Sequence, residues 1–142
     1  MKLNFKRIVL IDDDPIHNLV CIKTIRNYVN DAELEISAFL DPIEALQFLA
    51  DSHTDGSVKT MILIDINMNI VNGWDVLDFI AKFDKNVKKN YIIYMLSSSE
   101  NIEDIARAYS YPIVQDYLVK PLFKHMPAIF VDQSKHEIAK VR

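Results

Sequence analysis

The chain is short of several things that would point to particular functions. It has a single cysteine, Cys21, so an intrachain disulfide and a cysteine-rich metal site are both excluded. Its two glycines and five prolines form no linker, and no repeat or low-complexity tract is visible. No apolar stretch approaches the roughly 20 residues that cross a bilayer. Three aspartates cut off the apolar run near the N-terminus, and no small-residue cleavage site follows, so a signal peptide is not expected. There is no excess of positive charge: the formal net charge is −4, which gives no footprint for nucleic-acid binding. These features fit a reducing, cytoplasmic setting. What is present is ordinary: 142 residues, half of them hydrophobic and a quarter charged, enough to build one core and one domain.

Short apolar runs alternate with longer amphipathic stretches. Arg7–Ile11, Met61–Ile66, Tyr91–Leu96 and Tyr117–Val119 are rich in Ile, Val and Leu and read as strands, several buried on both faces. Leu34–Phe39 alternates more and reads as a further strand. Asp14-Pro15 and Asp41-Pro42 are helix starts, with Asp as the cap and Pro in the first turn. Behind the first come Ile16, Leu19, Ile22, Ile25 and Val29 at gaps of three or four. Further helices are predicted to begin near Trp74 and Asn101. The order βαβαβαβαβ predicts an α/β fold, a parallel sheet with helices on both faces. In such folds ligands bind at the carboxyl ends of the strands.

Those ends carry the chemistry. The first strand ends in Asp12, Asp13 and Asp14, the third in Asp65, the fourth in Ser97, Ser98 and Ser99, and the fifth in Lys120-Pro121. Clustered carboxylates repel one another, and a hard cation such as Mg²⁺ relieves the repulsion. A hydroxyl and an ammonium on the same edge can hold phosphoryl oxygens. A carboxylate can also act as a nucleophile and form an aspartyl phosphate. The parts therefore suggest phosphoryl transfer to a carboxylate.

The segments IVLIDDDP, LIDINMNIVNG, MLSSS and DYLVKP occur in the order and spacing of the receiver domain of bacterial response regulators, and the chain resembles that family from residue 6 to about 122. The resemblance implies a five-stranded flavodoxin-like fold in a single stand-alone receiver, 1–142. It implies that Asp65 is the phospho-acceptor. Asp12 and Asp13 form the acidic pair, Asp13 the direct metal ligand, and Asn67 offers its backbone carbonyl to Mg²⁺. Ser97 matches the switch hydroxyl, Tyr117 the switch aromatic that turns inward on activation, and Lys120 the lysine that precedes a proline, commonly through a cis bond. Gly73 matches the family glycine, where a left-handed or tight turn is easiest for Gly. The implied partners are a sensor histidine kinase or histidine phosphotransfer protein and a downstream protein target, with neither nucleic acid nor membrane bound directly. With only about 20 residues after Lys120, the output is expected to pass through a partner rather than an attached domain. A homodimer is compatible with the family.

The sequence departs from the pattern in three places. Asn69 replaces the usual proline, so the loop after Asp65 is expected to be less rigid. Tyr109-Ser110-Tyr111-Pro112 replaces the usual small segment before the last strand. Pro127 stands where a fifth helix should run, and a proline in a helix interior costs about 3 kcal/mol. Residues 123–142 are therefore expected to form an atypical C-terminal helix or tail, which puts the usual dimer mode in doubt.

Plainer readings compete at several positions. Asp14 is a helix cap, and Ser98 and Ser99 are mainly a turn. Tyr117 could be a simple core or surface aromatic. Asp65, Asn67 and Asn69 mimic the opening of a calcium loop, but Ile70 and Val76 stand where that loop needs Gly and Glu. The histidines at 17, 53, 125 and 136 read as surface residues, Cys21 as a small buried hydrophobe, and Trp74 as packing. Two other functions compete: a phosphate-independent, receiver-like binding module, and a hydrolase working through an aspartyl phosphate. Retention of every acidic residue and the lysine weighs against the first. The lack of a second aspartate close after Asp65 weighs against the second.

Overall fold

The computed structural model describes residues 3–52 and 58–130. In chain order these form β1 (Arg7–Ile11), α1 (Pro15–Tyr28), β2 (Glu35–Phe39), α2 (Pro42–Ser52), β3 (Thr60–Ile64), α3 (Gly73–Ala81), α4 (Lys85–Lys88), β4 (Tyr91–Ser97), α5 (Ile102–Tyr109) and β5 (Val114–Val119). A 3₁₀ turn (Leu122–His125) and α6 (Met126–Phe130) complete the described chain. The five strands make one sheet, ordered β2-β1-β3-β4-β5, and every pair is parallel. This is the parallel sheet with helices on both faces that the alternation of apolar runs predicts, with the five strands that the resemblance implies.

The period of two along each strand supplies both faces. Val9, Ile11, Ile62, Ile64, Ile93 and Met95 point to one side, against Leu46, Leu49, Leu77, Ile80 and Ala108 of α2, α3 and α5. Ile8, Leu10, Met61, Leu63, Tyr94 and Leu96 point to the other, against Cys21 and Ile25 of α1 and Met126, Ile129 and Phe130 of α6. That two-sided burial is why the central strands read as unbroken apolar runs. At the edge, β5 begins at Val114, earlier than its apolar run suggests, because half-buried Gln115 and Asp116 interrupt the pattern.

Helix starts follow their caps. Asp14 Oδ1 accepts from the N–H groups of Ile16 (3.0 Å) and His17 (3.3 Å). Asn72 and Asp75 form a reciprocal capping box at α3. The four-residue α4, capped by Asp84, was too short to leave a periodic signal.

Two of the departures now have physical accounts. Pro127 sits second in α6, a first-turn position where the missing N–H costs little, so the last helix starts late rather than breaking. It packs through Phe130 against Phe5 (centroids 5.6 Å apart) and Tyr28 (5.9 Å). Residues 131–142, the rest of the expected tail, lie outside the described residues. Tyr111 stacks on Trp74 at 6.0 Å, Arg107 lies 4.6 Å over the indole, and Tyr111 donates its hydroxyl to Asp78 at 3.0 Å. The unusual segment before β5 is thereby tied to the start of α3.

Candidate functional site

Three of the chemistry-bearing residues leave their strands with their own backbone held by a neighbouring strand. Asp12 N–H donates to Phe39 O (3.2 Å), Asp65 N–H to Ile11 O (2.9 Å) and Lys120 N–H to Ser97 O (2.9 Å). The sheet's ladders thus continue one residue beyond the strands and fix where these side chains begin.

Asp12 (4% exposed) and Asp65 (7%) are buried, and half-buried Asp13 lies beside them. Carboxylate oxygens of the three lie within 4.8 Å of one another. Lys120 Nζ reaches Asp12 Oδ2 at 2.9 Å and Asp65 Oδ1 at 3.6 Å. The Lys120-Pro121 bond is cis, as the resemblance implies.

The electrostatics follow from this packing. Burial, reinforced by the charge of Asp12, pushes the Asp65 carboxyl up to about 6, against the pull of Lys120 and the Asn67 backbone N–H. For Asp12 burial acts in the same upward direction. Hydrogen bonds from His17, the Asp14 backbone and Lys120 outweigh it and hold the carboxyl at about 2. Burial lowers Lys120, but its bond to Asp12 and the charge of Asp65 outweigh that and raise it. Two adjacent carboxyl groups are therefore driven apart: Asp12 is a fixed anion, and Asp65 is poised near the operating pH.

Ser97 is fully buried at the end of β4, and its Oγ accepts from Ser99 N–H at 3.2 Å. Ser99 is more than a turn residue: its hydroxyl donates to Asp104 Oδ2 at 2.6 Å, and its carbonyl accepts from the Tyr117 hydroxyl at 2.8 Å. Tyr117 is buried. Asn67 lies on the exposed loop after Asp65. On that loop the substitution of proline by Asn69 has a direct consequence, since Asn69 N–H donates to Asp13 Oδ2 at 3.1 Å, a bond that proline cannot make.

Gly73 requires a correction. Its φ is not in the left-handed region. Glycine is needed because a Cβ there would stand 2.4 Å from Asp65 O and 2.8 Å from Ile66 Cα. The left-handed position is Ile70, at φ 67° and fully exposed.

His17 requires another. It is not a surface residue: its side chain is 17% exposed, and Nδ1 lies 2.7 Å from Asp12 Oδ2. That bond, with the Cys21 contact behind it, raises the imidazole to about 9 despite burial. A signal for this was present. His17 lies in the first turn of α1, and helical side chains lean toward the N-terminus, which here is the acidic strand end. His125 is likewise half-buried, with Nε2 2.7 Å from Val119 O, while positions 53 and 136 lie outside the described residues. Asn18 also escaped notice; it donates from Nδ2 to Asp12 O at 2.9 Å.

The donor set suits a hard cation, because it offers closely spaced carboxylate oxygens and no cysteine or free imidazole aimed among them. Among the described residues no helix is long and apolar enough to cross a membrane.

Comparison with known proteins gives a consistent result. The model of the response regulator receiver domain matches residues 8–127. A two-component response regulator from Cytophaga hutchinsonii is similar at 27% identity and TM-score 0.79, over 96% of this chain and 99% of that one. The phosphorylated cyanobacterial phytochrome response regulator RcpA is 27% identical with TM-score 0.67, over 88% and 91%. A response regulator receiver protein from Dyadobacter fermentans shares the fold at 20% identity and TM-score 0.73, over 86% and 95%. No curated protein matches the chain.

Proposed function

The chain belongs to the response regulator receiver domain family, and from that premise we propose that Asp65 accepts a phosphoryl group from a phosphohistidine, with Mg²⁺ bound by Asp13, Asp65 and the Asn67 backbone carbonyl near Asp12. The observation that carries this is the meeting of three carboxylates and one lysine at a single sheet edge, with the Asp65 carboxyl pushed up and that of Asp12 held down.

In this reading an Asp65 oxygen attacks phosphorus, the P–N bond to the donor imidazole breaks, and its electron pair stays on that imidazole. Lys120, anchored by Asp12, meets the phosphoryl oxygens as they gather charge. Mg²⁺ would supply further charge neutralisation at those oxygens. Ser97 offers its hydroxyl to the phosphoryl group, and the Ser97–Ser99–Tyr117 network carries the change to the face of α5 and β5. The donor is a sensor histidine kinase or a histidine phosphotransfer protein, and the receiver of the signal is a downstream protein. The domain works as a cytoplasmic signalling switch rather than a metabolic enzyme. The relative RcpA was solved in a phosphorylated form.

The test is intact mass after incubation with acetyl phosphate, with and without Mg²⁺, for wild type and Asp65→Asn. The expected result is a Mg²⁺-dependent gain of one phosphoryl group in wild type only. A labelled Asp65→Asn variant would remove the acceptor assignment. If neither acetyl phosphate nor phosphorylated kinases label the wild type, the phosphate-independent binding module becomes the better reading.

A further inference from the structure

His17 is pinned at both ends. Its Nδ1 faces Asp12 Oδ2 at 2.7 Å, and its Nε2 lies 3.5 Å from Sγ of Cys21, one turn further along α1. A carboxylate only accepts, so the proton of this bond sits on Nδ1.

The bond consumes much of what Asp12 has to offer. Oδ1 already takes the N–H of Asp14 at 3.0 Å. Oδ2 takes both His17 and Lys120, at 2.7 and 2.9 Å. An ionised carboxylate offers about four acceptor sites in all, so Asp12 has little left for a cation. Among the described residues Asp13 carries one bond, from Asn69 N–H at 3.1 Å, while Asp65 takes the Asn67 backbone N–H and meets Lys120 at the longer 3.6 Å.

We propose that His17 is a positioning residue: its Nδ1–H holds Asp12 turned toward Lys120, which leaves the cation to Asp13 and Asp65 and sets the reach of Lys120 toward groups on Asp65. The inference rests on the receiver reading of the site and assigns a role to a residue outside the acid–lysine set. Removing the donor frees Asp12 Oδ2. The freed carboxylate, already an anion, can turn toward the cation while Lys120 loses its fixed anchor. The two effects have opposite signs, and a general loosening of the fold does not produce that pattern.

Three variants separate the possibilities. His17→Ala removes the donor. His17→Asn keeps an N–H donor at the same two-bond distance from Cβ as Nδ1. His17→Gln places its amide one bond too far. Mg²⁺ affinity of the unmodified protein is read by calorimetry, and labelling by acetyl phosphate at saturating Mg²⁺ is read by mass. Residues that orient metal-site ligands commonly change affinity or rate by about 10–100-fold. For His17→Ala the expectation is Mg²⁺ binding about threefold tighter and maximal labelling about tenfold slower. Asn should restore the labelling rate to within about twofold, and Gln should not.

The assignment is overturned if Ala leaves both quantities unchanged, if affinity and rate fall together, or if Asn performs no better than Gln. Failure of the wild type to be labelled by any donor defeats the receiver reading instead; the Mg²⁺ arm still decides the role of His17.

Discussion

Asp65→Asn should make the cation-free protein more stable, although it removes a buried group with a lysine partner. Burial and the neighbouring Asp12 charge raise the Asp65 carboxyl from 3.8 to about 6. The folded state therefore binds this proton more tightly than the unfolded chain does. The associated stability is fully present below about 3.8 and is lost as pH rises through about 6. At roughly 1.4 kcal/mol per pKa unit, ionised Asp65 costs the native state about 3 kcal/mol at pH 7.5. An amide in the same space carries no charge but must still be buried with incomplete hydrogen bonding, which leaves a net gain of about 1–2 kcal/mol. With an unfolding entropy near 2.1 cal/mol/K per residue, that corresponds to a Tm rise of about 3–7 °C for a chain of this length. Thermal and urea melts in EDTA at pH 7.5 and pH 4.5 give the measurement, repeated at pH 7.5 with Mg²⁺. The advantage of the variant should shrink at pH 4.5, where wild-type Asp65 is largely protonated. It should also shrink with Mg²⁺, since a cation held by native wild type would stabilise it. An Asn variant no more stable than wild type at pH 7.5 in EDTA, or equally advantaged at both pH values, would refute the electrostatic account.

Two further outcomes test the loop between β3 and α3. Gly73→Ala places a Cβ 2.4 Å from Asp65 O, so it should destabilise by about 2–3 kcal/mol, read as a lower urea midpoint at unchanged slope. Ile70→Asn relieves a β-branched residue at φ 67° and should stabilise by about 0.5–1 kcal/mol, read as a higher Tm with Mg²⁺ affinity unchanged.

The sheet was legible because its central strands are buried on both faces, and a run such as Met61–Ile64 admits no other reading at that length. The carboxylates, Ser97 and Lys120 were legible because they end those runs, and parallel strands bring their ends together whatever lies between. The readings that failed have a common physical source. His17 was assigned to the surface because an imidazole has no periodic signature, and only the lean of helical side chains toward the N-terminus brings it back over Asp12. Gly73 was credited with a turn when its requirement is the closeness of another backbone. The role of Asn69 as a donor to Asp13 depends on the loop's path, which the absence of proline permits but does not dictate. Trp74 reads as packing in the sequence and packs in the structure, yet its partners Arg107 and Tyr111 come from a distant segment that no local pattern connects to it.

The bond from Lys120 to Asp12 spans 108 residues. While a ribosome is making this chain, Asp12 and Asp13 emerge before Asp65, and the lysine that faces Asp12 and Asp65 comes out only after β5. At about 5–20 residues per second, several seconds separate the appearance of Asp65 from that of its counter-charge. A nascent or internally cleaved chain therefore presents acids without their lysine. A complete acid–lysine cluster thus doubles as a certificate that β5 has been made and docked.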